Sequence, residues 1–364
     1  MRIIVGFIFL WSGAIQAQNT SKLSMLFTGD IMQHQVQITT AFNSATGRYD
    51  YIPCFKFVNP YLTAADLTIG NLEVTLGGPP YTGYPIFSAP DELIGALKDS
   101  GFDLLVSANN HALDRGKRGL ERTIDKLDSA GILHTGTYKD TLDWLNNHPL
   151  IVEAKGFRIS LLNYTYGLNG LRVRAPNKVN LIDTVQIKMD LQKAKNQVTD
   201  VVLVFMHWGN QYENTPNKEQ KALADFCFRN GAKIVIGSHP HVLQAMEWRK
   251  EHDQVVAYSL GNFLGNQPER YRGIGIMLSI ELEKTVIENR PAMVKISDVS
   301  YALSWVYRTQ PDGSFFILPV DQFEKDTVFV TNKNSRERLK LLQSDTRRLF
   351  EKENKNVRER AGFK

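Results

Sequence analysis

The chain has 364 residues, of which 43% are hydrophobic and 22% are charged, and its formal net charge is +5. This composition excludes a disordered protein and is typical of a globular one. The segment from Ser335 to Lys364 carries ten Lys and Arg against five Asp and Glu and accounts for the whole excess of charge, so we expect no nucleic-acid partner.

The first segment, residues 1–17, has one basic residue, an apolar stretch too short to span a bilayer, and a small residue at Ala17. This pattern predicts a cleavable secretory signal; a buried first strand is the alternative. No later run has the apolar length that a membrane-spanning helix needs. We therefore expect an exported protein, periplasmic or secreted after cleavage near Ala17, without a transmembrane segment in the mature chain.

Short apolar runs alternate with amphipathic stretches along most of the chain. Strands are predicted at Leu23–Thr28, Leu67–Gly70, Leu104–Ala108, Ile132–His134, Ile159–Asn163, Val201–Met206, Ile234–Gly237 and Val255–Ser259. Helices are predicted at Pro90–Ser100, Gly116–Ala130, Asp183–Gln197 and Asn217–Asn230. This alternation predicts an α/β domain over residues 18–270 with a mainly buried sheet.

The pattern changes after about residue 270. Four strands follow one another without helices, at Ile274–Glu283, Ala292–Tyr301, Trp305–Arg308 and Phe315–Val320. They predict an antiparallel β-rich extension of the same domain over 271–333. Residues 334–364 are predicted to form a charged surface helix with a thin apolar stripe, and weak binding of an anionic polymer is the alternative role for this tail.

The chain has two cysteines, Cys54 and Cys227. An oxidising compartment permits a disulfide, but Cys227 lies in the helical pattern ADFCFRNG, where a small buried hydrophobic residue is the simpler interpretation. We predict two free, buried thiols.

Polar side chains follow five of the predicted strands, at the point where each strand ends. The clusters contain Asp30 and His34; Asn71 and Glu73; Asn109, Asn110, His111 and Asp114; His207; and His239 and His241. Ligands of open α/β sheets gather beyond the carboxyl ends of the strands, so these clusters should converge. The proline in His239-Pro240-His241 excludes a helix there and favours an extended or turned segment.

These residue types indicate a metal site. Asp, Glu, Asn and His supply the oxygen and nitrogen ligands that hold Mn, Fe or Zn, and two such ions close together can catalyse a displacement. The set that would hold the pair is Asp30, Glu73, Asn110, His207, His239 and His241. Taken singly, Asp30 in a helix cap and Asn110 in a turn are the alternatives.

The motifs GD, GN-L-E, NNHALD, H-W-G, GSHPH and YSLGNF occur in this order. In order and spacing they resemble the CapA family of bacterial capsule and poly-γ-glutamate synthesis, which is similar in fold to the calcineurin-like metallophosphatases. The resemblance extends from about Leu23 to Phe263. It implies a metallophosphatase-like α/β sandwich.

The resemblance also implies roles for individual residues. Asp30 and His241 would hold a first ion, and Asn110, His207 and His239 would hold a second. His111 would face the substrate and stabilise charge or protonate the leaving group, with Asp114 orienting it; these two form the expected catalytic pair.

Two positions depart from the metallophosphatase pattern. Met32 stands where a histidine is usual, and His34 is the expected substitute. Asn71 aligns with the bridging aspartate, and because a neutral amide bridges cations poorly, Glu73 is the better carboxylate, with Asn71 as a helper. A site for one ion, or for substrate alone, is the alternative.

Substrate contacts are expected around the motifs. Tyr84 and Phe87 would form an aromatic wall, Arg115 would receive anionic groups together with Lys117 and Arg118, and Asn262 of YSLGNF would complete the set. An ordinary solvated helical turn is the alternative for the basic residues.

Two functions follow from these expectations. The first is a divalent-metal-dependent hydrolase with a phosphoesterase-like mechanism that acts on an anionic envelope polymer or a phosphoester. The alternative is a non-catalytic accessory that binds capsule polymer or poly-γ-glutamate during synthesis or export.

Overall fold

The computed structural model describes residues 18–288, 290–310 and 313–360. The predicted leader, residues 1–17, lies outside the described residues. Within them, two β-sheets pack face to face, and helices cover the outer face of each sheet. The α/β sandwich expected from the sequence is therefore confirmed.

The strands are β1 Gln18–Ile31, β2 Phe42–Asn43, β3 Arg48–Tyr49, β4 Leu67–Leu72, β5 Leu104–Val106, β6 Leu133–Thr135, β7 Thr137–Tyr138, β8 Leu150–Ala154, β9 Phe157–Thr165, β10 Lys178–Val179, β11 Val201–His207, β12 Ile234–Ser238, β13 Met246–Arg249, β14 Gln254–Ala257, β15 Asn262–Leu264, β16 Ile274–Ile287, β17 Met293–Arg308, β18 Phe315–Pro319 and β19 Arg358–Glu359. The α-helices are α1 Gln35–Ala41, α2 Ile52–Phe55, α3 Asn59–Leu62, α4 Glu92–Asp99, α5 Gly116–Ser129, α6 Thr141–Asn147, α7 Thr184–Asn196, α8 Lys218–Arg229, α9 Val320–Phe323 and α10 Lys333–Glu353.

The first sheet has the strand order β18-β17-β16-β1-β4-β5-β6, with β15 and β19 at its side. The second has the order β13-β14-β12-β11-β9-β8. Strands β1, β4, β5 and β6 are parallel to one another, as are β9, β11, β12 and β14. Each sheet therefore brings the carboxyl ends of several strands to one edge.

Successive side chains of a strand point to opposite faces of the sheet, so each strand contributes to two apolar layers. In β11, Leu203 and Phe205 join the core between the sheets, whereas Val204 and Met206 pack under α7 and α8. Both faces of β11 are buried, which explains its continuous apolar run.

Helices α7 and α8 begin at the residues that the sequence marks as caps. The Asp183 side chain accepts hydrogen bonds from the backbone N–H groups of Val185 and Gln186, and Asn217 forms a capping box with Gln220. These side chains satisfy N–H groups that have no partner inside the helix.

The C-terminal extension differs from the prediction in two details. The strands predicted at Ala292–Tyr301 and Trp305–Arg308 form the single strand β17, because the residues between them continue the pairing, with Leu303 opposite Ile276. The terminal helix α10 ends at Glu353, and the chain then returns as β19 beside β17.

Helix α10 buries the apolar stripe that the sequence predicts. Leu339, Leu342 and Phe350 join the core cluster between the sheets, and Leu349 packs against it. Cys54 and Cys227 are free and buried, as predicted, and burial raises the pKa of each thiol to about 12. Among the helices of the described residues, none has the length and apolarity needed to cross a bilayer.

Candidate metal centre

The site lies where the carboxyl ends of the parallel strands meet. Asp30 is the penultimate residue of β1, Glu73 follows β4, His207 ends β11, and His239 and His241 follow β12. The two carboxylates come from the first sheet and the three histidines from the second. The polar residues at the strand ends thus lie close together although some of them are more than 200 positions apart in the chain.

Glycine permits the close approach on which this meeting depends. A Cβ at Gly29 would lie 1.9 Å from the carbonyl oxygen of Gly261, and the N–H of Asp30 donates to that same oxygen at 2.9 Å. The first motif, GD, therefore places Asp30 against the later motif that contains Gly261.

Five side chains form two overlapping groups with metal-ligand geometry. One consists of Glu73, His207 and His239, and the other of Asp30, Glu73 and His241. In each group one ligand atom per residue lies within 4.8 Å of the others. Glu73 is common to both groups.

Glu73 is fully buried, and neither of its carboxylate oxygens has a hydrogen-bond partner among the described residues. Burial raises the pKa of this carboxyl well above its usual value, and the nearby carboxylate of Asp30 raises it further. A buried carboxylate without hydrogen bonds is unfavourable unless a cation compensates it.

His207 and His239 are held neutral. Burial lowers the pKa of His207 well below its ordinary value and that of His239 to about 3, with neighbouring histidines adding to both shifts. Nδ1 of His239 has no hydrogen-bond partner among the described residues. A neutral imidazole with a free nitrogen is the form that binds a metal.

His239 and His241 both have left-handed backbone conformations, with φ of 98° and 57°. Non-glycine residues in this region cost of order 1–3 kcal/mol each, and such residues concentrate at functional sites. The strain allows two side chains separated only by Pro240 to enter different ligand groups.

Asn71 and Asn262 support the ligand Asp30 and its partner. The amide of Asn71 donates to Oδ1 of Asp30 at 2.8 Å, and Nδ1 of His241 lies 3.0 Å from Oδ2 of Asp30. Oδ1 of Asn262 lies 3.1 Å from the same His241 nitrogen. Asn262, expected at the substrate, is buried and orients His241 instead.

On the other side of the site, Asn110 and Ser238 hold His207. Oδ1 of Asn110 lies 2.7 Å from Nε2 of His207, and the hydroxyl of Ser238 lies 2.9 Å from its Nδ1. Asn110 thus stands beside the second ligand group, as expected. Ser238 belongs to the GSHPH motif, but a serine is not a usual ligand of these metals, and the sequence therefore indicated no role for it.

His111 and Asp114 form a hydrogen-bonded pair next to the ligands. Nδ1 of His111 lies 2.8 Å from Oδ2 of Asp114, and the same oxygen accepts the backbone N–H of Phe87 at 2.7 Å. The ring of Phe87 packs edge-on against His111, with centroids 4.6 Å apart. Phe87 is completely buried, so it supports His111 and does not present a wall to the substrate.

Three other predicted residues lie away from the two ligand groups. Nδ1 of His34 accepts the N–H of Asn266 at 3.1 Å, and His34 belongs to neither group. Tyr84 is 73% exposed. Arg115 donates to the carbonyl of Pro80 at 2.9 Å, so a backbone contact already occupies its guanidinium.

Sequence reasoning missed Tyr166 and Asn169, which follow β9. The Tyr166 ring lies over His239, with centroids 4.5 Å apart, and Oδ1 of Asn169 accepts from the amide of Asn110 at 3.1 Å. The expectation that site residues follow the carboxyl ends of the strands, if applied to β9 as well, would have indicated this segment as part of the site.

The donor set fits divalent cations. Three buried polar atoms without partners converge here, the two oxygens of Glu73 and Nδ1 of His239, and the remaining donors are carboxylate and imidazole. This mixture suits Mn, Fe or Zn better than Mg or Ca, which prefer all-oxygen sites.

Comparison with known proteins places this geometry in a family. The family described as "Bacterial capsule synthesis protein PGA_cap" matches residues 24–267, which include every ligand named above. The chain belongs to this family. The resemblance inferred from the motifs is thereby confirmed.

Two biosynthesis proteins named CapA are similar in sequence to this chain. The chain is 31% identical over 267 residues to the capsule biosynthesis protein CapA of Bacillus anthracis, covering 70% of this chain and 62% of that protein. It is 29% identical over 280 residues to the PGA biosynthesis protein CapA of Bacillus subtilis (strain 168), covering 72% and 70%.

Solved structures similar to this capsule synthesis family member include a phosphoesterase and a nucleotidase. They are the calcineurin-like phosphoesterase YfkN from Bacillus subtilis (TM-score 0.47, 13% identity, 89% of this chain and 100% of that chain) and the NAD nucleotidase of Haemophilus influenzae (TM-score 0.45, 14% identity, 94% and 57%).

Proposed function

We propose that this protein is an exported, divalent-metal-dependent hydrolase that acts on an anionic polymer of the cell envelope, poly-γ-glutamate or a related capsule polymer. The observation that carries the proposal is Glu73, a buried carboxylate that belongs to both ligand groups and accepts no hydrogen bond from an N–H or O–H donor of the described residues. Membership of the capsule synthesis family supports the polymer as the substrate class. The apolar leader pattern of residues 1–17 supports export.

Asp30, Glu73, His207, His239 and His241 would hold the cations, with Asn110 completing one side. Cations bound there supply Lewis-acid polarisation of the bond to be cleaved and activation of the attacking water. The protein contributes the fixed positions of these ligands, set by two sheets, and the exclusion of bulk water from the buried side of the site.

His111 is the proposed general acid. The hydrogen bond from Nδ1–H to Asp114 fixes the ring and directs Nε2 away from that carboxylate, where a protonated Nε2 donates to the leaving group. Asp114 is a positioning residue in this scheme, because its oxygen contacts His111 and the backbone of Phe87.

The test combines metal content with turnover. Protein purified without chelator should contain about two metal equivalents per chain by mass spectrometry, and Glu73→Ala and His239→Ala should contain fewer. Manganese-loaded wild-type protein should release fragments from poly-γ-glutamate or hydrolyse a phosphoester, and His111→Asn should not. Absence of bound metal under every loading condition would refute the hydrolase.

Asn71 favours a second candidate, a non-catalytic polymer-binding accessory. It is a neutral amide that donates to Asp30, at the position where the resemblance implies a charged bridging ligand. An accessory would bind polymer with unchanged affinity after chelation and would show no turnover with any metal.

A further inference from the structure

A cleft of about 670 Å³ opens beside the catalytic pair, and its lining is basic. Asp114 lines it on one side, Lys117 at the start of α5 adds one positive charge, and the segment after β9 adds Arg172 and Arg174. The cleft is therefore continuous with the region of His111, since Asp114 holds that ring.

The two arginines of this cleft have no ion-pair or hydrogen-bond partner among the residues that the structure describes, and both are exposed. Two arginines elsewhere in the protein are neutralised, by contrast: Arg122 contacts Asp91 at 2.6 Å, and Arg347 contacts Glu359 at 2.8 Å. Arg172 and Arg174 thus present uncompensated charge to whatever enters the cleft. Guanidinium groups bind carboxylate and phosphate oxygens through paired, charge-assisted hydrogen bonds.

The carboxylate of Glu121, which contacts two lining residues of the cleft, does not cancel the charge of the arginines. Glu121 accepts a hydrogen bond from Asn177 at 2.8 Å and lies 3.7 Å from the ammonium of Lys117. One of the three cations is thereby partly compensated, and the arginines are not.

The same segment connects the cleft to the metal-ligand groups. Asn169, which bonds Asn110, precedes Arg172 by three residues, and three residues span at most about 10 Å. The segment that carries the arginines therefore also contacts the region of His111, whose Nδ1 lies 3.5 Å from the amide of Asn169.

We infer that this cleft is an anion-binding subsite, in which Arg172 and Arg174 bind a carboxylate of the polymer chain next to the bond that is cleaved. The inference rests on the proposed function for the position of that bond. The binding itself requires no metal, because no residue of either ligand group lines the cleft.

The test measures binding of fluorescein-labelled γ-linked decaglutamate to chelator-treated protein by fluorescence anisotropy at low and moderate salt. Arg172→Gln/Arg174→Gln should raise the Kd roughly tenfold, and Arg172→Lys/Arg174→Lys should recover part of the loss. The control Arg48→Gln/Lys188→Gln removes the same charge from exposed positions that do not line the cleft, and should change the Kd less than about twofold. Neutral γ-linked polyglutamine should bind weakly to every variant.

Equal affinity of wild type and the double glutamine variant, or equal loss in the control, would overturn the subsite. Kinetic measurements distinguish an incorrect subsite from an incorrect assignment as a hydrolase. Turnover with a KM unchanged in the double glutamine variant refutes the subsite and leaves the hydrolase intact. Binding that depends on the arginines, with no turnover under any metal, supports the subsite and refutes the hydrolase.

Discussion

Oε1 of Glu73 lies 3.6 Å from Nε2 of His207 and 3.6 Å from Nε2 of His241. His207 ends β11 and His241 follows β12 in the second sheet, whereas Glu73 follows β4 of the first. These distances are longer than hydrogen bonds, and under the proposed function this carboxylate would be shared between the two ligand groups.

Glu73→Gln should affect the metal-free and metal-loaded proteins in opposite directions. Without metal, removal of the ionisable group should stabilise the fold at pH 8 by about 1–3 kcal/mol, because wild-type Glu73 must either remain protonated or bury a charge. With metal, the variant should be less stable than wild type and bind fewer equivalents. Urea unfolding with and without chelator measures both effects, and a variant less stable in both states would contradict the bridging role.

The contribution of the buried histidines to the stability of the metal-free protein should be lost as the pH falls below about 6.5. The folded-state pKa of His207 is lowered, and that of His239 is lowered to about 3, so the unfolded chain binds protons that the folded chain does not. This contribution is present above the unfolded value near 6.5 and is lost as the pH falls towards 3. Urea unfolding of chelated protein across this range measures the slope, which should become shallower in His239→Gln.

His111→Asn should lower kcat by about 10²–10⁴-fold and leave the metal content unchanged, because His111 belongs to neither ligand group. Asp114→Asn should have a smaller effect, about 10-fold or more, through the loss of a charged partner for the ring. Elemental analysis beside kinetics distinguishes catalysis from metal loss. An active His111→Asn variant would exclude His111 as the acid, and a shifted pH profile in Asp114→Asn would identify the positioning role.

Asn71→Asp should strengthen metal binding and weaken the metal-free fold. The amide of Asn71 donates to Asp30 at 2.8 Å, so an aspartate there places two carboxylates in contact and leaves Asp30 without that donor. We expect at least 1 kcal/mol of destabilisation in chelator, roughly the value of a buried charged hydrogen bond, and a lower metal Kd. Competition with a fluorescent chelator measures the latter, and an unchanged Kd would show that this position does not reach the cation.

Gly29→Ala should destabilise the protein by about 3 kcal/mol or more, since the new Cβ would lie 1.9 Å from the Gly261 carbonyl oxygen, which cannot move independently of the backbone. Gly95→Ala in α4 is the matched control. It meets nothing within 4 Å and should stabilise the helix by about 0.5–1 kcal/mol. Thermal unfolding compares the two, and similar values would contradict the close approach at Gly29.

The sequence predicts the layers and much of the ligand set for a physical reason. Continuous apolar runs of limited length form strands buried on both faces, and the polar residues that follow them must converge at the sheet edge. Glu73 was favoured over Asn71 as the shared carboxylate on charge alone, and the structure places it in both ligand groups. The preference for Glu73 followed from the charge of the side chain and did not require the distances between the ligands.

Contacts made by loops were not predictable in this way. Phe87 follows a segment rich in turn residues, and nothing local indicates that its ring is buried against His111. Asn169 meets Asn110 from 59 positions away, and Asn262 meets His241 from 21 positions away. Such pairings depend on how separate loops pack together, which periodicity within one segment does not encode.

The segment between β9 and α7 combines two tasks on one stretch of chain. Tyr166 and Asn169 lie against the ligands, whereas Arg172 and Arg174 face the cleft. Surface loops accept insertions and substitutions more readily than the strands that carry them. Under the proposed function, natural variation or grafting confined to residues 170–176 should therefore change which polymer is bound and leave the ligand groups at the strand ends unchanged.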